Sequence, residues 1–270
     1  MREAGLDAAG PTEKTRVFLA GATGAIGRRL VPLLVARGHE VIGTSRSADR
    51  ARGLAGLGAQ GVAVDVLDAA TLREAVLRAR PDIVIHQLTD LGGGFAPGQL
   101  EATVRANAHV RTAGTANLVQ AALAAGATRM LAQSISWACV PLRGIVDEDT
   151  PLDVDAPGLR GVTVGGVAAL ERQALGTPGL RGTVLRYGQL YGPGTGADSP
   201  EGKDQPLHVD AAAWAVVAAL EADATGLFNI VQANDRVSTR KAQALLGWDP
   251  QEGRFAVQDR PLGTQVRSDA

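Results

Sequence analysis

The 270-residue chain predicts an α/β fold built on a doubly wound parallel sheet of about seven strands. Helices are expected on both faces, with a small C-terminal portion from about residue 188. Three observations carry this. Short apolar runs alternate with longer helical patterns from residue 16 to about residue 190; the runs are apolar on both faces; and a glycine-rich turn joins the first run to the first helix. Strands buried on both sides and separated by helices belong to a covered parallel sheet, and right-handed crossovers wind it in two directions.

The elements follow in order. Segments 16–20 (RVFLA), 40–42, 61–64, 82–86 (DIVIH), 129–132 and 183–186 read as strands. Between them 24–37, 48–57, 69–80, 101–125 and 163–175 read as helices. Pro32 should kink or shorten the first helix, but the Leu30, Leu33, Leu34 and Val35 cluster keeps it helical. After Tyr191 the polar stretch 192–206 (GPGTGADSPEGKDQP) is expected to be a mobile surface loop. A helix at 210–221, a strand at 227–231 and a short helix at 238–246 come after it. Residues 1–15 are expected to be a disordered extension and 251–270 a loose tail, leaving 16–250 as one domain.

Composition narrows the class. Hydrophobic content of 45% and charged content of 20% suit an ordinary globular protein. A net charge of −1 argues against a nucleic-acid or anionic-membrane partner. Cys139 is the one cysteine, so no internal disulfide forms and a reducing compartment fits. No secretory pattern opens the chain and no apolar run approaches the ~20 residues of a membrane span, so the expected location is cytoplasmic. His86, His109 and His208 are not clustered, so they read as structural residues and no metal site is expected.

The turn Gly21-Ala22-Thr23-Gly24-Ala25-Ile26-Gly27 follows a strand and opens a helix. That context marks the Rossmann dinucleotide-binding arrangement. Glycine permits the turn, lets backbone approach a pyrophosphate and packs the helix against the strand, while the helix N-terminus favours the anion. NAD binders place an acid about 20 residues on to hold the ribose 2′-hydroxyl. Here the region reads Ile42-Gly43-Thr44-Ser45-Arg46, and Arg46, assisted by Arg50, suits a 2′-phosphate. NADP(H) is therefore the expected cofactor and NAD(H) the alternative.

With these residues the chain resembles the extended short-chain dehydrogenase/reductases, the NAD-dependent epimerase/dehydratase group, over nearly all of residues 16–250. AGATGAIG (20–27) is similar to the family's glycine turn, Asp65-Val66 to its adenine-contacting pair, and His86-Gln87-Leu88-Thr89 to a stretch beside the cofactor ribose. Asn107 matches a helix asparagine common in the group. LRYGQLYGPGTG (185–196), LHVDAAAWAVVAAL (207–220) and ALLGWDP (244–250) resemble later family segments. The resemblance implies cofactor contacts from Gly21, Thr23, Gly24, Ala25, Ile26, Gly27, Arg46, Asp65, Val66, Gln87, Leu88, Thr89 and Asn107, a small substrate-binding portion from about residue 188 onward, and a homodimer as in many members.

It also implies a catalytic Ser, Tyr and Lys, and here the chain departs. Ser134 matches the serine, with Ser136 beside it. Anchoring on Glu171 puts Thr163 at the tyrosine position and Val167 at the lysine position. No register change restores the pair: the tyrosines are Tyr187 and Tyr191, the lysines Lys14, Lys203 and Lys241. An aliphatic hydroxyl is far too weak an acid to replace a phenol with pKa ~10, and losing a positioned acid forfeits ~10²–10⁴ in rate. Carbonyl reduction tolerates this better than epimerisation or dehydration. The leading expectation is an NADPH-dependent reductase of a bulky small-molecule carbonyl, of a kind associated with polyketide-type secondary metabolites and antibiotic biosynthesis. Ser134 or Ser136 would then hold the oxygen, Thr163 line the pocket and Tyr187 stand as a substitute donor. A catalytically silent NADP(H)-binding sensor or scaffold is the alternative, and a nucleotide-sugar epimerase or dehydratase the third.

Overall fold

The computed structural model describes residues 15–251, apart from 92–95, 97, 142 and 233. The expectations for the extension before Thr15 and the tail after Gln251 lie outside the described residues. Strands β1 (Arg16–Ala20), β2 (Glu40–Ser45), β3 (Gln60–Ala63), β4 (Ile83–His86), β5 (Arg129–Ile135), β6 (Arg181–Tyr187) and β9 (Gly226–Ile230) form one seven-stranded sheet in the order β3-β2-β1-β4-β5-β6-β9. Every neighbouring pair is parallel. The order reverses between β1 and β4, and a sheet of this kind opens its ligand crevice at that switch, outside the C-terminal strand ends.

The two-residue strand period sorts the core. Val17 and Leu19 face one side with α1 (Gly27–Ala36) and α7 (Val209–Glu221); Phe18 and Ala20 face the other with α3 (Ala69–Ala79) and α5 (Thr115–Ala124). Helix α7 and strand β9 thus complete the main sheet layer, and the short parallel pair β7 (Gln189–Tyr191) and β8 (Pro206–His208) forms a second, two-stranded sheet. Neither strand was expected. Within the segment expected to be a surface loop, residues 192–197 form a turn in which Gly192 N donates to Ala197 O at 2.7 Å and the Thr195 hydroxyl donates to Gly192 O at 2.8 Å, while Pro206 already begins β8.

Other differences have local causes. β2 runs three residues past its expected end, through Gly43, where a Cβ would lie 2.6 Å from Ala22 Cβ and 2.8 Å from Leu54 Cδ1. That glycine serves close packing and does not end the strand. α2 (Ala48–Gly53) gives way to a 3-10 turn at Leu54–Leu57. Helix 101–125 is divided into α4 (Leu100–His109) and α5 by a π turn at Val110–Gly114, a feature often found beside functional sites. α6 (Gly158–Gly176) starts five residues before its expected position and meets α4 closely, a Cβ on Gly166 lying 2.9 Å from Ala108 Cα. α8 (Arg240–Leu246) follows β9. Pro32 sits inside α1 without dividing it.

Candidate active site

A groove open to solvent, with about 790 Å³ of empty space, lies at the β1/β4 switch. Its floor is the glycine turn, one wall comes from the ends of β2 and β3, and the other from residues following β4. Gly21, Thr23, Gly24, Arg46, Asp65, Val66, Gln87, Leu88 and Thr89 all line it, as do Arg50 and Asp90. Of the four remaining cofactor-binding expectations, three fall just behind the floor. Ile26 is buried in the core, and a Cβ on Gly27 would stand 2.2 Å from Gly21 O, so Gly27 brings the helix against the turn. Ala25 packs near Gly194, and its carbonyl accepts Arg29 Nη1 at 3.1 Å. Arg29 is in turn clamped by Asp210 at the start of α7.

The local chemistry fits a dinucleotide. Gly21 has φ +92°, and a Cβ there would lie 2.6 Å from Gln87 O, so only glycine leaves the turn this shape. Gln87 is buried on the groove wall; its amide donates to the Tyr187 hydroxyl at 3.4 Å, and its Oε1 has no hydrogen-bond partner among the described residues. A buried acceptor left alone is costly, and a ligand hydroxyl would satisfy it. Gly21, Gly24 and the N-terminus of α1 would hold a pyrophosphate, with Asp65, Val66 and Arg46 around the adenosine end.

Asn107 has a different place. It does not line the groove; its Oδ1 accepts the Asp90 N–H at 2.9 Å and so fixes the chain leaving β4. His86 stands behind that wall, fully buried. The Leu88 N–H donates to its Nδ1 at 3.2 Å, which leaves Nε2 to donate to Thr115 Oγ1 at 3.1 Å. Burial, with the Arg111 charge adding to it, pushes the His86 pKa down to about 4.

The four catalytic expectations scatter. Ser134 is fully buried and donates to Glu171 Oε1 at 2.6 Å; Glu171 also takes both arms of Arg186, each at 2.9 Å. The serine is thus part of a buried charge network. Ser136 donates to Gln205 Oε1 at 2.5 Å. Thr163 is half-buried and donates to Leu159 O within α6 at 3.1 Å. The Tyr187 hydroxyl donates inward to Ala212 O at 3.2 Å, and burial raises its pKa. In this arrangement the hydroxyl proton points to an interior carbonyl and not into the groove. Val167 is fully buried with Ile135, Ala138 and Val164 in an apolar cluster that Leu152 covers. Where a lysine would lower a phenol pKa, the chain has hydrocarbon.

Two participants were not read from the sequence. Asp90 is an acid four residues past the end of β4, a position only the paired strands bring opposite Arg46. Arg111, on the π turn, is 4% exposed, and burial lowers its pKa to about 10 against the opposing pull of Glu171. In the helical pattern it resembled any surface arginine. Cys139 is buried, as expected, with Arg186 Nη1 3.4 Å from its sulfur. Among the described residues no group of three or more potential metal ligands occurs, and no helix is long and apolar enough to cross a membrane.

The model of the NAD dependent epimerase/dehydratase family matches residues 17–213. The chain belongs to that family. A Streptomyces relative named 3-diazoavenalumate denitrifying reductase is 44% identical over 237 residues, covering 80% of this chain and 75% of its own. Together these make the chain an NAD(P)-dependent oxidoreductase. Solved structures agree in fold. The UDP-glucose 4-epimerase of Thermus thermophilus in complex with NAD has TM-score 0.69 at 21% identity, over 87% of this chain and 94% of that one. The Bordetella bronchiseptica enzyme WbmG in complex with NAD and UDP has TM-score 0.66 at 19% identity, over 92% and 95%.

Proposed function

We propose that this family member is a reductase whose substrate accepts hydride without an acid from the protein, and that an aryl diazo compound is such a substrate. The observation that carries the reading is the apolar cluster around Val167, together with the inward-bonded Thr163 and Tyr187. A bound reduced dinucleotide supplies a hydride. Hydride addition to a ketone leaves an alkoxide that must be protonated as it forms, which is the task of a positioned acid. Hydride addition to the terminal nitrogen of an arenediazonium needs no such proton. A new N–H bond forms, the resulting diazene breaks its C–N bond, the hydrogen ends on the ring carbon and N₂ leaves. A ring phenolate takes its proton from water afterwards.

The relative's name, which specifies a diazo substrate and a denitrifying reduction, supports the same chemistry here. In this reading the groove residues bind and orient the cofactor, and the hydrocarbon at Val167 leaves no ammonium to tune an acid of the protein. The carbonyl reductase expected from sequence shares the hydride step and differs in needing the proton.

The test is dinucleotide oxidation at 340 nm with purified protein, with N₂ release measured in parallel. The substrates are a hydroxyarenediazonium such as 3-diazo-4-hydroxybenzoate, a ketone panel and UDP-glucose. One N₂ per dinucleotide with the diazo substrate is the expected result. Turnover confined to ketones, conversion of the sugar nucleotide, or binding without turnover would each replace the proposal.

A further inference from the structure

Arg46 enters the sequence reading as a ligand for a 2′-phosphate, yet both of its terminal nitrogens are engaged. Nη1 donates to Asp90 Oδ2 at 3.2 Å and Nη2 to Asp90 Oδ1 at 3.1 Å. The two residues come from opposite walls, Arg46 directly after β2 and Asp90 from the chain leaving β4, and both line the groove. The paired fork spans the crevice at the end where the adenosine ribose would be held. Asp90 is set for this: Asn107 receives its backbone N–H at 2.9 Å, and its side chain is 23% exposed against 54% for Arg46. Around the pair, the Thr23 hydroxyl donates to Ser45 Oγ at 3.2 Å, and Asp65 is close enough to add to the field that raises the Arg46 pKa, the Asp90 hydrogen bond being its main cause.

A 2′-phosphate carries about −1.5 to −2 charge and seeks the same planar fork. It would compete with Asp90 for Arg46 and be repelled by the displaced carboxylate. A free 2′-hydroxyl meets the opposite situation, since a carboxylate accepts its hydrogen bond. The acid that NAD binders carry at the end of the second strand is absent from Ser45-Arg46-Ser47, and Asp90 brings one to the same crevice from the next wall. A partly exposed ion pair is individually weak, so the fork opens readily and can serve either cofactor.

We infer that Asp90 sets the balance between the phosphorylated and unphosphorylated dinucleotide, by competing with a 2′-phosphate for Arg46 and by accepting from a 2′-hydroxyl. This rests on the reading of the groove as a dinucleotide site. The experiment is calorimetric binding of NADP⁺ and NAD⁺, which differ only in the 2′-phosphate, to the wild type, Asp90→Asn, Asp90→Ser, Arg46→Ala and the Arg46→Ala/Asp90→Asn double variant. No turnover is required. Removing the Asp90 charge is expected to tighten NADP⁺ by about tenfold and to weaken NAD⁺ by a few fold. Arg46→Ala should weaken NADP⁺, and in its background Asp90→Asn should no longer tighten it by way of the fork. A ratio of the two affinities unchanged within twofold in both folded Asp90 variants overturns the inference while leaving the groove assignment intact. A wild-type protein that binds neither dinucleotide overturns the groove assignment itself.

Discussion

Returning a lysine to its family position, as Val167→Lys, tests whether the catalytic pair has been replaced by a dry core. Val167 has no exposed surface and packs against Ile135, Ala138 and Val164. An ammonium there would have no counter-charge within the cluster, so burial should drive its pKa below neutrality. Holding a lysine of ordinary pKa ~10.4 uncharged at pH 7 spans ~3.4 units at ~1.4 kcal/mol each, or about 4.6 kcal/mol of lost stability. The unfolded state then binds a proton that the folded state does not, so stability rises with pH. The loss should shrink by ~1.4 kcal/mol per unit from pH 7 toward ~10.4. Urea unfolding followed by circular dichroism at pH 7 and pH 9.5 measures both quantities. Val167→Met, an apolar change of larger volume, is expected to cost no more than about 1–3 kcal/mol and to show no slope. A Val167→Lys protein within about 1 kcal/mol of wild type at pH 7, with no pH dependence, would refute the argument. It would mean that water or a partner reaches this position, as a working lysine requires.

Four further outcomes are expected, three from packing and one from a buried histidine. Glu171→Ala leaves Arg186 buried without its carboxylate and Ser134 without its acceptor, a loss of about 3–5 kcal/mol; a melting temperature within about 2 °C of wild type would contradict this. Gly27→Ala drives a Cβ into the Gly21 carbonyl and the Ala22 backbone, so it should both destabilise the fold by about 1–3 kcal/mol and abolish dinucleotide binding. Gly165→Ala, on the exposed face of α6 with open space around its Cβ, should be neutral or stabilising by up to ~1 kcal/mol. The buried neutral His86, with its pKa lowered from 6.5 to about 4, makes stability fall as pH drops through that interval, because only the unfolded state takes up the proton there. The slope is ~1.4 kcal/mol per unit, and His86→Gln should remove that part of the acid sensitivity in urea titrations at pH 4–7.

Much of the architecture was legible because it depends on local pattern. The RVFLA and DIVIH strands, the glycine turn and the α1 and α3 periodicities are statements about neighbours in sequence, and the structure agrees with each. Errors fell where glycine has two meanings. Gly43 and Gly161 resemble breakers, but they sit where neighbouring atoms leave no room for a Cβ: Ala22 and Leu54 around Gly43, Ala156 O at 2.1 Å from the Cβ position of Gly161. The π turn at Val110–Gly114 was invisible because helical spacing does not register one widened turn. In the site, motif residues Gly21, Thr23, Gly24 and Gln87 line the groove. Ser134, Ser136, Thr163 and Tyr187 carry hydroxyls whose direction is a matter of three-dimensional partners, and each is bonded to a protein acceptor.

The amino-acid sequence by itself determined the sheet class, the phosphate turn and the absence of a tyrosine–lysine pair, since composition and short-range spacing suffice for these. Only the tertiary structure decided what fills the vacated position and which charges face each other. Val167 meets Ile135 across 32 residues because α6 packs on β5, and Arg46 meets Asp90 across 44 because β2 and β4 both pair with β1. Contacts of that range are set by sheet order and crossover geometry, which no local window of sequence contains.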